Sequence, residues 1–288
     1  MINQTKNFFS ILEHRVETSG SLLCVGLDPH PGELEQRNAS GVRLFCSRLV
    51  KATAPYAAAF KPNAAFFELH GAEGWDVLKG IIELIREESE RLGIKIPIIL
   101  DAKRGDIAST AEAYAYSAFE VLGADAITLN PYLGKDSIDP FLSYSGKGVF
   151  LLCKTSNKGA ADLQNLRFVG TSSSIDENGS FLYEHIATLA QSWNTNNNIG
   201  LVVGATHPDA LKKVRESASD LWFLSPGVGA QGGDLETALR NGLRKDGKGM
   251  LINLSRNLSR EEDPGQAAAL FCTKVRKIQQ SLNDEDRK

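Results

Sequence analysis

The densest chemistry in the chain lies in residues 101–110, which read DAKRGDIAST. Side chains of an extended segment alternate with a period of two, so Asp101 and Lys103 point to one side and set a carboxylate beside an ammonium. Gly105 permits a turn. Asp106 and Thr110 stand four apart at the start of a helical pattern, a spacing that projects both from one face of the first turn. Such a segment has an ordinary reading, with Asp106 capping a helix and Asp101 closing an Asx turn beside a solvated lysine. Its company argues for chemistry. Lys61 ends an apolar run in FKPN, and Asp28 follows another in GLDP. Ser156 follows a third in KTSN, and Arg256 follows the last in NLSRN. Paired carboxylates and ammonium groups of this kind suit proton transfer and the stabilisation of developing negative charge.

Residues 225–234, SPGVGAQGGD, contain the spacing GxGxxG at Gly227, Gly229 and Gly232. A dinucleotide-binding fold opens with that fingerprint and follows it with an acidic residue for the ribose. Here the spacing comes late, and the next apolar run, 251–254, carries no acid. The glycines still offer backbone N–H groups that approach an anion with no side chain in the way, and with Arg256 close behind they predict a phosphate-binding corner.

Positioning these groups falls to a repeated strand and helix pattern. Short apolar runs bounded by Gly, Pro or Asp occupy 22–27, 57–61, 97–101, 125–129, 148–153, 199–203, 221–225 and 249–254. Between them Val77, Leu78, Ile81, Ile82 and Ile85 form one helical stripe, and Ile107, Ala111, Tyr114, Ala118 and Leu122 form another. Eight such runs in 288 residues predict an α/β fold, a (β/α)8 TIM barrel, as a single domain over 1–288. The polar groups then share the rim at the carboxyl ends of the strands, where such barrels keep their chemistry. Phe8, Leu12 and Val16 recur at helical spacing and predict an extra N-terminal helix under the barrel floor, not a signal peptide. The segment 157–180, rich in Gly, Ser and Asn, reads as a long loop after the fifth strand, either a lid or an inert insertion. The tail after Leu282 reads as a frayed end.

Composition narrows the function. With 32 Lys and Arg against 35 Asp and Glu, the formal charge of -3 argues against a nucleic-acid partner. No run approaches the roughly 20 apolar residues that span a bilayer, so no membrane association is expected, and the cytoplasm is the expected compartment. Cys24, Cys46, Cys153 and Cys272 show no CxxC pairing and read as structural thiols. The five scattered histidines give no metal-binding pattern, so chemistry without metal or cofactor is the expectation.

The ordered set GLDP, FKPN, DAKRGDIAST, NPYLG, KTSN, PGVGAQGGD and the final arginine resembles the orotidine 5'-phosphate decarboxylase family, in the branch whose central motif reads DAKRGDI. The resemblance implies cofactor-free decarboxylation of orotidine 5'-monophosphate (OMP) to UMP and CO2, the last step of de novo pyrimidine synthesis. It implies that Lys61, Asp101, Lys103 and Asp106 form an alternating charged array. Within that array Lys103 donates the proton to C6 and Asp101 lies beside the substrate carboxylate. Lys61 and Asp28 would hold the ribose region, Ser156 would contact the pyrimidine, and Gln231 and Arg256 would bind the phosphate. It further implies a homodimer in which Asp106 and Thr110 enter the partner's site. The chain departs from the pattern at Ser255, where Gly is common, at KTSNKG around the serine, and in the long 157–180 segment. Two readings compete. A Mg-dependent sugar-phosphate synthase or decarboxylase of the same barrel group wants a metal-binding acid where Lys61 ends the second strand. A non-catalytic nucleotide-binding barrel has no need of the four charged residues present here.

Overall fold

Strands form at the apolar runs because a parallel strand, covered by helices on one side and by the barrel interior on the other, has no face to show to water. The computed structural model describes residues 7–168, 179–229 and 232–285. Its strands are β1 (Leu23–Leu27), β2 (Ala59–Pro62), β3 (Ile99–Arg104), β4 (Ala126–Leu129) and β5 (Gly148–Lys154), then the small β6 (Arg167–Phe168) and β7 (Ser180–Phe181), then β8 (Ile199–Val203), β9 (Trp222–Pro226) and β10 (Met250–Leu254). All but the small pair join one parallel sheet of eight strands, in the order β2, β1, β10, β9, β8, β5, β4, β3. The outer strands of that order meet. Phe60 bridges Ile98, Asn63 bridges Asp101, and Phe60 N donates to Pro97 O at 3.0 Å, which closes the barrel.

Alternation decides what fills it. Ala59, Ile99, Ala126 and Phe150 stand two residues before Lys61, Asp101, Thr128 and Leu152 on the same strands and are fully buried, so an apolar layer underlies a polar mouth. The predicted N-terminal helix, Phe8–Ser19, covers the opposite end with Phe8, Phe9, Leu12 and Val16 buried. The rings of Phe8 and Phe9 meet Phe150 edge-on at 6.0 and 5.6 Å. A Cβ at Gly148 would lie 2.4 Å from the Phe8 ring, so the first residue of β5 must lack a side chain. Arg15 donates to Ala54 O and Ala57 O, each at 2.8 Å, and ties this helix to the turn before β2.

The stripe Val77, Leu78, Ile81, Ile82 and Ile85 is buried along the helix Gly71–Arg91, as the spacing predicts. The second stripe holds only in part. Ala111, Ala118 and Leu122 are buried, but Ile107 is 53% exposed, because it is the extended residue preceding the helix Ala108–Tyr116 and lies off its inward face. The 157–180 segment is also more than a loop. It contains the helix Ala160–Gln164 and an antiparallel ladder pairing Phe168 with Ser180, while residues 169–178 lie outside the described residues. The tail read as frayed continues the helix Pro264–Glu285, with Glu285 paired to Arg240 at 2.6 Å. All four cysteines are buried and unpaired, and burial pushes the Cys24 thiol up to about 12.

Candidate active site

β3 does not end as a regular strand. Leu100 pairs with Ile127 and Arg104 with Leu129, so residues 101–103 bulge opposite the single residue Thr128. Within the bulge Lys103 takes a left-handed backbone, φ 49, which L side chains rarely adopt. This bulge, and not simple alternation, brings Asp101 and Lys103 to one side. Lys103 Nζ donates to Asp101 Oδ1 at 2.5 Å, and Lys61 Nζ, from the end of β2, donates to Asp101 Oδ2 at 2.6 Å. Thr128 Oγ1 adds a third hydrogen bond, to Asp101 Oδ1 at 3.0 Å.

Charge and burial oppose each other here, and charge wins. Burial alone would push the Lys61 ammonium down, but the charges of Asp101 and Asp28 outweigh it and hold the group above the usual lysine range. Burial pushes the Asp101 carboxyl up, and the ammonium groups of Lys61 and Lys103 overcome this and hold it well below the usual carboxylate range. The two lysines differ in freedom. The Lys61 side chain is 6% exposed and that of Lys103 49%, so the outer ammonium is the more accessible of the two.

These groups line a cavity of about 560 Å³ at the carboxyl ends of the strands. Asp28, Ser156 and Arg256 share it, and Leu152, Val202, Leu224 and Pro226 give it an apolar wall. That is a volume for a small molecule with one flat apolar face and several polar anchors. Near its rim Asp28 Oδ1, Asn253 Oδ1 and Ser255 Oγ are buried without a protein partner. They crowd around Gly26, where a Cβ would lie 3.0 Å from both the Asp28 carboxylate and the Ser255 side chain. Buried polar atoms are normally hydrogen-bonded, and these three gather in one corner of the cavity lining.

Two of the three glycines expected to face an anion, Gly229 and Gly232, use their N–H groups elsewhere. The N–H groups of Gly229, Gly232 and Gly233 donate to Gly233 O, Gly229 O and Gly227 O at 3.0, 2.9 and 3.1 Å, so they hold the turn together and do not face an anion. Gly229, at φ 73, also lies where a Cβ would be 2.7 Å from the Asn257 amide. Of the two residues expected to bind phosphate, Arg256 lines the cavity, and Gln231 lies outside the described residues. Asp106 and Thr110 do not line the cavity of their own chain. Asp106 is half-buried and its Oδ1 accepts from Ile107 N at 2.8 Å, while Thr110 is exposed.

A model of the orotidine 5'-phosphate decarboxylase / HUMPS family matches residues 21–271. The chain belongs to this family. An orotidine 5'-phosphate decarboxylase of Roseiflexus castenholzii is 44% identical over 281 residues, covering 96% of this chain and 97% of that one. The structure of Leishmania donovani OMP decarboxylase is 50% identical with a TM-score of 0.83, covering 95% of this chain and 98% of that one. The Leishmania donovani UMP synthase structure is 52% identical with a TM-score of 0.84, and its match spans 95% of this chain and 56% of that longer one.

Of the residues that the family resemblance singled out, Asp28, Lys61, Asp101, Lys103, Ser156 and Arg256 share one cavity. Sequence reasoning missed others. Thr128 was counted into the apolar run 125–129, although a lone hydroxyl residue on the inward face of a strand is itself a signal. Asn253 was hidden in the same way in 249–254. Gln164 brings the insertion to the cavity, its side chain accepting from Thr155 N at 2.9 Å and donating to Thr155 Oγ1 at 2.8 Å. Its distance in sequence from any motif left it without a signal.

Proposed function

We propose that the chain decarboxylates OMP to UMP and CO2 without a cofactor, the last step of de novo pyrimidine synthesis. The observation that carries this reading is one buried carboxylate bridging two ammonium groups at the polar end of the cavity. Breaking the bond from C6 to the carboxylate releases CO2 and leaves the electron pair on C6. Lys103 supplies positive charge as that pair develops, then transfers a proton from Nζ to C6, and the amine is reprotonated from solvent. Asp101 lies beside the substrate carboxylate and keeps Lys103 aimed. An ammonium about 4 Å from the carbon gains roughly 4 kcal/mol at an effective dielectric near 20, about a thousandfold in rate. The remainder comes from the ordered network and from phosphate binding energy realised in the transition state. Lys61 and Asp28 hold the ribose, Ser156 contacts the pyrimidine, Arg256 and Gln231 bind the phosphate, and Asp106 completes the charged array.

We also propose a homodimer with shared sites. Leu69, Ile107 and Tyr132, on the loops after β2, β3 and β4, are 61%, 53% and 78% exposed, and Asp106 and Thr110 lie in the same stretch as Ile107. Exposed apolar residues on the loops of three adjacent strands suit a second copy of this chain, which would receive Asp106 and Thr110 in its own site. Four unpaired buried cysteines suit a reducing compartment and support the cytoplasm as the place of action. Among the described residues no helix is long and apolar enough to cross a membrane.

Loss of OMP absorbance with the purified chain, with and without EDTA, tests the reaction. Loss that EDTA leaves unchanged supports the proposal. No loss from a folded chain that binds UMP would point to the nucleotide-binding barrel, and EDTA-sensitive turnover of a sugar phosphate to the metal-dependent relatives.

A further inference from the structure

We infer that Thr128 is a positioning residue for the decarboxylation, fixing both the backbone that carries Lys103 and the carboxylate that aims it. The inference rests on the proposed reaction. In a regular parallel strand flanked on both sides, successive N–H groups would alternate between carbonyls of the two neighbours, here β2 and β4. The bulge at 101–103 takes two of these donors out of register, and both turn to one side chain: Ala102 N and Lys103 N donate to Thr128 Oγ1 at 3.1 and 3.0 Å. A hydroxyl has two acceptor lone pairs and one proton. With both lone pairs occupied, the proton has a single destination, Asp101 Oδ1 at 3.0 Å.

Three consequences follow from this saturation. The left-handed turn at Lys103 keeps its N–H groups satisfied, so the strained backbone that carries the proton donor is stable without substrate. Asp101 Oδ1 is held as an acceptor, the role it must play toward Lys103 as well. The direction of the hydroxyl is also steady. Thr128 is 1% exposed, and a β-branched side chain has few rotamers open to it. The residue makes these bonds from β4, next to the strand that bears Asp101 and Lys103, and acts on the reaction through those two groups.

Thr128→Val keeps the shape and removes the hydroxyl, while Thr128→Ser keeps the hydroxyl and removes the methyl. The parent chain is assayed on OMP first, and an inactive parent would overturn the decarboxylase reading itself and this inference with it. With an active parent, Thr128→Val is expected to lose about 10-fold to 100-fold in kcat, the cost of a misplaced reacting group. KM should stay within about threefold, as expected for an interaction realised only in the transition state. Thr128→Ser should recover most of the lost kcat. A Thr128→Val variant that turns over like the parent, or a Thr128→Ser variant as impaired as Thr128→Val, would overturn the inference while leaving the reaction intact. If Thr128→Val does not fold, Thr128→Ala against Thr128→Ser makes the same comparison, with kcat lost in the first and kept in the second.

Discussion

Asp101 and Lys103 meet at 2.5 Å across a backbone turn that sets the lysine at φ 49. Separated by one residue on a bulged strand, they are held at a distance that a relaxed strand would not enforce. The ammonium and the carboxylate beside it are therefore held by the chain's own contacts, which is the condition for electrostatic stabilisation without reorganisation during the proposed reaction.

Lys103→Ala should abolish decarboxylation and leave nucleotide binding measurable, because the cavity keeps Asp28, Ser156 and Arg256. UMP titration beside the OMP assay checks both halves. Turnover near that of the parent would remove Lys103 from its role as acid.

Asp101→Asn should leave the Lys61 ammonium buried without its charged partner, at a cost of about 3–5 kcal/mol in stability at neutral pH. The folded Asp101 carboxyl titrates below its usual value of 3.8, so its contribution is complete above that value and is lost as pH falls below it. Folded Lys61 titrates above its usual 10.5, so its share is complete below that value and is lost as pH rises through the folded value. Urea unfolding across pH should show a flatter acid limb in the variant, and a parent-like stability at pH 7 would contradict the account.

Arg256→Ala should weaken phosphate binding by roughly 10-fold to 100-fold, the size of a lost charge-assisted hydrogen bond. KM for OMP reads this directly. A companion measurement is decarboxylation of a truncated nucleoside, which added phosphite dianion should accelerate less in the variant than in the parent.

Ile107→Asp should shift the chain from dimer to monomer in sedimentation and lower the activity per chain. A charge would enter the patch around Asp106 and Thr110. A dimer of unchanged stability would move the interface elsewhere.

Gly148→Ala should lower stability by about 1–3 kcal/mol, the usual cost of overpacking, since its Cβ would lie 2.4 Å from the Phe8 ring. Thermal unfolding measures this, and kcat of the folded fraction should stay near the parent value because Phe8 lies at the far end from the cavity.

The fold was legible because strand-forming runs buried on both faces leave a continuous apolar trace, and β8, for instance, spans the same residues as its run. The site was legible wherever a charged residue broke such a trace, as at Lys61 and Asp101. Thr128 was not, since a hydroxyl that fits an apolar run carries no charge to interrupt it. Ile107 misled for a related reason. Its spacing matches the helical stripe, yet the helix begins one residue later and leaves it outside. The left-handed turn at Lys103 has no glycine to announce it, because contacts from a neighbouring strand hold it.

Phe8, Phe9 and Phe150 close the lower end of the barrel, so among the described residues the cavity at the carboxyl ends of the strands is a well that opens upward. Everything that OMP becomes has to leave by the way OMP came in. CO2 carries no charge for the lysines to hold, whereas UMP keeps the phosphate for which Arg256 is the proposed partner. On the proposed reaction, the architecture therefore favours an order of departure with CO2 first and UMP last.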